Sequence, residues 1–368
     1  MTPKIRIALA SALAVCALGA IAPAANADIY WGQDYIGIGR ASLDGFDVDS
    51  SFVTGGTPGY VAVDSNSVYW TNLNADIGRA SKDGTGSPAQ SFIDVADGAY
   101  PSGIAIDSGT VFWANFLGNT IQTANASTGL GTQTLLSANT PVGVALDKNY
   151  IYWTNPGDTA IGRAKRDGSE FTLDFIAPLN SPTAIAVDSK YIYWTNNGNG
   201  TIGRAKLDGT DVRDNFITGA ALPQGVAVDA NYIYWGNFDR AYIGRAKLDG
   251  TGVDQQFIDL GGSFAVGVAV DPSPSLAPVG KATKRSLKVK VGCGDVSVCT
   301  LQLSGNKVGT KLALSSKTVT TDGSGFAVAT LAYTPRLRKA LAKGGRISIK
   351  ATNPATDAYR STVVRVAK

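Results

Sequence analysis

Through the first two thirds of the chain, apolar residues come in short runs separated by polar, turn-forming clusters. Tyr191-Ile192-Tyr193-Trp194 is such a run, apolar on both alternating faces. Runs of this length, rich in β-branched and aromatic residues and bounded by Asp-Gly, Asn-Gly and Pro, predict strands, and no helical period appears in the region. A strand that is apolar on both faces must lie in a sheet covered on both sides.

The runs repeat. Trp31, Trp70, Trp113, Trp153, Trp194 and Trp235 recur at 39 to 43 residues, each after Tyr or Phe, and that period suits a four-stranded propeller blade. A run of the type Gly-Val-Ala-Val-Asp ends at Asp64, Asp107, Asp147, Asp188, Asp229 and Asp271, six residues ahead of the Trp wherever a Trp follows. An Ile-Gly-Arg-Ala run carries Arg40, Arg79, Arg163, Arg204 and Arg245, and Asp-Gly begins four residues after each Arg. The first Trp block lacks the strand that should precede it, and the last such strand, Gly267 to Asp271, lacks a Trp block after it. Joined, they complete one blade from both ends of the region, which gives six blades and a ring latched by its own termini.

These in-phase copies resemble the YWTD, or class B, repeat propeller of the low-density lipoprotein receptor family, over about Asp28 to Pro272. The resemblance implies an all-β six-bladed propeller. Its fourth motif position departs in this chain: Asn72, Asn115, Asn155, Asn196 and Asn237, with Gln33 in the first copy, stand where the family has Asp. No Cys-rich modules flank the ring, so the implication stops at the fold.

Spacing separates the two faces of the ring. From Asp to Trp and from Arg to the next Asp the distances are fixed, whereas Trp to Arg is 9 or 10 residues and the Asp-Gly Asp to the next strand-one Asp spans 20 to 24. Variation confined to one face marks the face that binds. It offers Asp34, Tyr35, Asn74, Phe116, Leu117, Asn197, Phe238, Asp239, Arg240 and Tyr242, with Tyr100, Gln224 and Phe264 from interblade loops. Aromatics at irregular loop positions suit a protein or glycan ligand; the same residues could instead only pack over blade edges. The six Trp are assigned to packing between blades, and the five Arg to pairing within or between blades rather than to an anion site, because the third copy has Thr123 at the Arg position.

The chain contains no His, which removes the commonest general base and metal ligand together. Secreted propeller enzymes such as streptogramin lyases and lactonases rely on His, or on Glu, Asn and Asp gathered round a metal. Glu170 is the only Glu, and it lies on the face of fixed spacing. A non-catalytic binding or scaffold protein is therefore expected, with no cofactor. The alternative is a metal-dependent hydrolase or lyase using Asp and Asn around a calcium or magnesium ion in the central channel.

Lys4 and Arg6 precede an apolar run from Ile7 to Ile21, and Ala25-Asn26-Ala27 reads as a cleavage site, so residues 1–27 are expected to be a signal peptide and the protein secreted, extracellular or wall-associated. Cys16 after the bulky Val15 fits a lipid-anchoring site less well. No other stretch approaches the length of a membrane span. Cys293 and Cys299 are then the remaining thiols. Export favours a disulfide between them, worth about 2 kcal/mol for so small a loop.

Charge divides the chain. From Asp28 to Gly280 there are 14 Lys and Arg against 26 acidic residues, a net of −12, whereas Lys281 to Lys368 carries 17 against 3, a net of +14. Opposed halves indicate two domains. Prolines 272, 274 and 278 mark a linker over 273–285. Beyond it, alternating runs over 286–368 resemble a small immunoglobulin-like sandwich, and its basicity invites an anionic cell-wall polymer. No specific nucleic-acid partner is expected.

Overall fold

The computed structural model describes residues 28–271, apart from 34–35, 44 and 73–75, and then 276–278, 286–292, 300–307, 317–320, 326–341, 345–352 and 359–366. The expected signal peptide (residues 1–27), Asp34, Tyr35, Asn74, Cys293 and Cys299 lie outside the described residues.

Six four-stranded antiparallel sheets form the ring. Five are consecutive in the chain; their innermost strands are Pro58–Val63, Pro101–Asp107, Val144–Leu146, Pro182–Val187 and Pro223–Val228. The sixth takes its innermost strand, Ala265–Val270, from one end of the region and its other three, Asp28–Gln33, Gly37–Ser42 and Asp49–Thr54, from the other. Ile29 pairs with Val270, and the Asp271 N–H donates to Asp28 O at 2.9 Å. The six-blade count and the composite closing blade are those expected from the repeat.

One apolar cluster fills each of the six blade interfaces, and each Trp is driven into the preceding blade. All six indoles have no exposed surface, which at ordinary transfer values contributes up to about 4–6 kcal/mol each. The Ile-Gly-Arg-Ala strand supplies what the indole needs. Its Gly faces the Trp directly across the strand pair, as Gly203 faces Trp194, and a Cβ there would lie 2.1 Å from the indole Cε2.

The Arg that follows is clamped between two rings. The Arg204 guanidinium lies 4.2 Å from the Tyr191 centroid and 3.9 Å from that of Phe216, and Arg163 and Arg245 repeat the arrangement. Its Nη1 then donates to a carbonyl of the next blade, Arg204 to Leu248 O at 3.0 Å and Arg163 to Leu207 O at 3.3 Å. With Arg40 donating to Lys82 O at 3.4 Å and Arg79 to Ser127 O at 3.2 Å, four of the five arginines tie adjacent blades together, as expected. In the third blade Gln122 and Thr123 replace Gly and Arg together, and the Trp113 Nε1 there donates to Asn115 of its own strand.

Turns on the face of fixed spacing are built by Asp. Asp188 Oδ1 accepts the Lys190 and Tyr191 N–H groups, each at 2.7 Å, while Oδ2 accepts the Tyr193 hydroxyl at 3.0 Å; Asp64, Asp147 and Asp229 do the same. In the Asp-Gly turns the following Ser or Thr hydroxyl takes over. Thr85 first, with Ser81, holds the exposed Asp83 carboxyl down at about 2. A lowered folded value contributes stability that is present above the ordinary carboxylate range and lost as pH falls through about 2. Thr85→Ala is expected to return Asp83 toward its ordinary value in an NMR acid titration while the ring stays folded; an unmoved titration would show that the hydroxyl is not the cause.

Past the ring, Leu276–Pro278, Ser286–Gly292 and Phe326–Ala332 form a three-stranded sheet, and Lys317–Thr320, Thr300–Lys307, Gly345–Thr352 and Tyr359–Val366 a four-stranded one. A short helix, Pro335–Leu341, is capped by Thr334 Oγ1, which accepts the Leu337 N–H at 3.3 Å.

Candidate functional site

The innermost strands meet around the axis with almost no room between them. A Cβ on Gly103 would lie 2.3 Å from Val142 O, and one on Gly225 2.6 Å from Val266 O, so the repeated Gly of these strands lets backbones approach. Tyr60 occupies that position in one blade. It packs against the interface cluster of its own blade and also against the cluster formed by Ala184, Tyr193 and Trp235 across the ring. The phenol therefore plugs the channel, and burial pushes it well above its ordinary value.

What remains is a cavity of about 30 Å³ lined by Tyr60, glycines and aliphatic residues, space for about one water. No carboxylate or carboxamide side chain lines it, and the repeat's Asp and Asn are engaged elsewhere. The Asp residues close turns, and the Asn side chains brace outer strands: Asn72 Nδ2 donates to Gln90 O at 2.8 Å, Asn196 Nδ2 to Asp214 O at 2.8 Å and Asn237 Nδ2 to Gln255 O at 3.1 Å. Among the described residues no group of three or more His, Cys, Asp or Glu could hold a metal. The channel lining does not fit a cation held by Asp and Asn.

The variable-loop face is different. Two aromatic pairs stand on it: Tyr100 with Phe116, centroids 6.3 Å apart, and Phe238 with Phe264, centroids 5.3 Å apart. The first joins two loops of one blade, and the second crosses from the last blade to the closing one. Phe116 and Phe238 are half-buried by their partners, whereas Tyr100 (39%), Leu117 (58%), Leu222 (43%) and Phe264 (45%) remain exposed. Asp239 and Arg240 are exposed beside Phe238; Asn197 is half-buried, as are Tyr242, which opens the strand Tyr242–Lys247, and Gln224, which lies in the strand Pro223–Val228 and not in an interblade loop as expected. Asn197 is drawn into a turn by its N–H bond to Ser181 O at 3.3 Å.

Left-handed backbone occurs at this rim as well as in the turns of the opposite face. Tyr100, Thr140, Ser181 and Leu222, each directly before a Pro, have φ of 57°, 43°, 52° and 48°, a region costly for side chains other than Gly. Hydrogen bonds hold the loops there. Asn119 Oδ1 accepts the Thr140 N–H at 2.8 Å, Asn139 Nδ2 donates to Asp158 at 2.9 Å, and Asn180 Nδ2 donates to Asp214 Oδ2 at 2.7 Å. The sequence marks the aromatics but not Leu222 or Asp97, whose exposure depends on loop shape. The recurrent residue before Pro is the signal that could have found Leu222.

Residues 190–230 match the family described as low-density lipoprotein receptor repeat class B. Among solved structures, the crystal structure of the nidogen/laminin complex aligns at a TM-score of 0.57 and 20% identity, covering 67% of this chain and 98% of that one. A virginiamycin B lyase from Staphylococcus aureus aligns at 0.43 and 16%, covering 75% and 95%, and a gluconolactonase from Xanthomonas campestris at 0.47 and 16%, covering 74% and 97%. No curated protein matches the chain. The nidogen likeness supports the fold alone; the other two are too distant to carry an argument.

Proposed function

We propose that the protein is an exported, non-catalytic recognition module that holds a protein partner on the variable-loop face of its propeller. The observation that carries this is the pair of aromatic couples, Tyr100 with Phe116 and Phe238 with Phe264, on loops tied by backbone hydrogen bonds at Phe116 and Phe238 and with apolar surface left open. Rigid, partly exposed aromatics are the usual anchors of protein interfaces. The nidogen structure is of a complex with laminin; recognition by this chain is inferred from its own face. Glycan recognition by the same aromatics is the narrower variant. The basic C-terminal region is read as an immunoglobulin-like sandwich that adds affinity for an anionic wall polymer. A hydrolase or lyase reading has less support, since the channel is plugged by Tyr60 and lined without carboxylates.

The test replaces Tyr100, Phe116, Phe238 and Phe264 by Ala together. Immobilised wild type and variant are compared for retention of proteins from native extracellular material, with Phe46→Ala/Phe171→Ala on the opposite side of the ring as control. Species held by wild type and control should be lost from the face variant, at about 2 kcal/mol or more for each anchoring aromatic. An unchanged profile would remove this face from consideration.

A further inference from the structure

Charge on the ring is sorted by face. Of the 14 Lys and Arg between Asp28 and Gly280, Arg240 alone stands on the variable-loop face. Five arginines lie in mid-blade, and the six lysines, with Arg166 and Arg213, sit at the opposite ends of the strands, as Lys165, Lys206 and Lys247 do at the ends of Ala160–Lys165, Thr201–Lys206 and Tyr242–Lys247. On the variable-loop face Arg240 is outnumbered by Asp76, Asp94, Asp97, Asp158, Asp239 and Asp259. Among the described residues none of these six forms an ion pair. Asp97 precedes Tyr100 in its loop and Asp239 follows Phe238 directly, so each aromatic couple has a carboxylate beside it in sequence. Carboxylates with exposed aromatic rings favour Lys and Arg side chains, by Coulomb attraction and by cation–π contact.

The chain itself contains the complementary surface, the region Lys281–Lys368 with its net charge of +14. Connectivity places the start of that region away from the acidic face of its own ring. The closing strand Ala265–Val270 runs away from the variable-loop face, so the chain leaves the ring on the opposite side. Leu276–Pro278 already pairs with residues of the basic region. The five-residue step from Asp271 to Leu276 reaches at most about 18 Å. The path from the axis across four strands and along a six-residue blade edge is about 35 Å. The start of the basic region is thus tethered to the face opposite the acidic one.

We infer that the acidic, aromatic face of the propeller receives the basic region Lys281–Lys368 of a second copy, so that copies associate head to tail. This names a partner for the face proposed above and rests on that proposal. Such an interface is heterologous: each copy keeps one free acidic face and one free basic region, and association continues beyond the dimer.

Sedimentation velocity on the full chain tests it. Wild type at about 100 μM should form a concentration-dependent series at about 50 mM NaCl that collapses by about 500 mM, because the attraction is screened. D94N/D97N/D239N/D259N should weaken association by about tenfold or more, whereas Asp47→Asn/Asp211→Asn on the opposite face should not. A tail variant, K281Q/K284Q/R285Q/K288Q/K290Q, should likewise be mainly monomeric. Mixed, the face variant and the tail variant should form a pair that stops at two, since only one complementary interface is left. A monomeric wild type at low salt, a face variant that associates like wild type, or a mixture that forms no pair overturns the inference. Those outcomes leave recognition by the face to the aromatic variant's retention profile, which is read separately.

Discussion

Asp271→Ala is expected to cost about 3–5 kcal/mol of stability and to loosen the ring at its seam. Asp271 Oδ1 lies 2.7 Å from Lys82 Nζ, with side-chain exposures of 0% and 9%. The ammonium also donates to Asp64 O at 2.9 Å, and the Asp271 N–H donates to Asp28 O. One buried contact therefore ties the last strand of the ring to the first strand and to the neighbouring blade. Removing the carboxylate leaves a desolvated ammonium at the seam, and that is what makes breaking a buried pair costly. The related pair Arg166 with Asp107, also 2.7 Å, is 24% and 48% exposed; Asp107→Ala should cost no more than about 1 kcal/mol. Urea unfolding followed by fluorescence of the six buried tryptophans separates the two. Lys82→Met/Asp271→Leu should recover most of the loss, because replacing both residues leaves no buried ammonium that has lost its carboxylate. Equal, small effects at Asp271 and Asp107 would show that the seam is not latched by this pair.

The sequence carried the ring because its period carries the packing. Five of the six Trp face a Gly and five follow an Asp-ended strand at a fixed distance, so the three motifs stay in phase, and the blade broken across both ends of the region can be counted by what each end lacks. The clamped arginines were legible as partners but not as partners of rings, since Tyr191 and Phe216 are brought to Arg204 from different strands. The Asn that replaces the family's Asp looked like a strand-end residue; its bond to the outermost strand emerges only when the blade is folded. Tyr60 is visible in the sequence as the one bulky residue in a row of small ones, but its role as a plug depends on six strands converging. Loop positions keep no such period. Phe238 and Phe264 could be named from the sequence, and their meeting across two blades could not.

Gly203→Ala should destabilise the propeller by about 3 kcal/mol or more, at the upper end of overpacking effects, although it adds one methyl group. The added carbon would sit 2.1 Å from Trp194 Cε2. The indole cannot retreat: it has no exposed surface, it is packed on Tyr152, Ile161 and Ile176 of the preceding blade, and its Nε1 donates to Asp214 Oδ1 at 3.0 Å. Either the strand pair opens or the interface does. For a ring of this size the loss corresponds to a fall in Tm of roughly 6–12 °C. The third blade shows what relief requires, for Gln122 stands where Gly203 stands, and Trp113 there bonds within its own strand instead of to the outermost one. The clash with the indole, rather than the loss of glycine, is therefore the cause to be tested. In a Trp194→Leu background, itself costing roughly 3 kcal/mol, Gly203→Ala should cost less than about 1 kcal/mol, a coupling large enough for a double-mutant cycle to resolve. Strict additivity would mean that the indole and the glycine do not specify each other, and that something other than the buried ring keeps glycine in the Ile-Gly-Arg-Ala repeat.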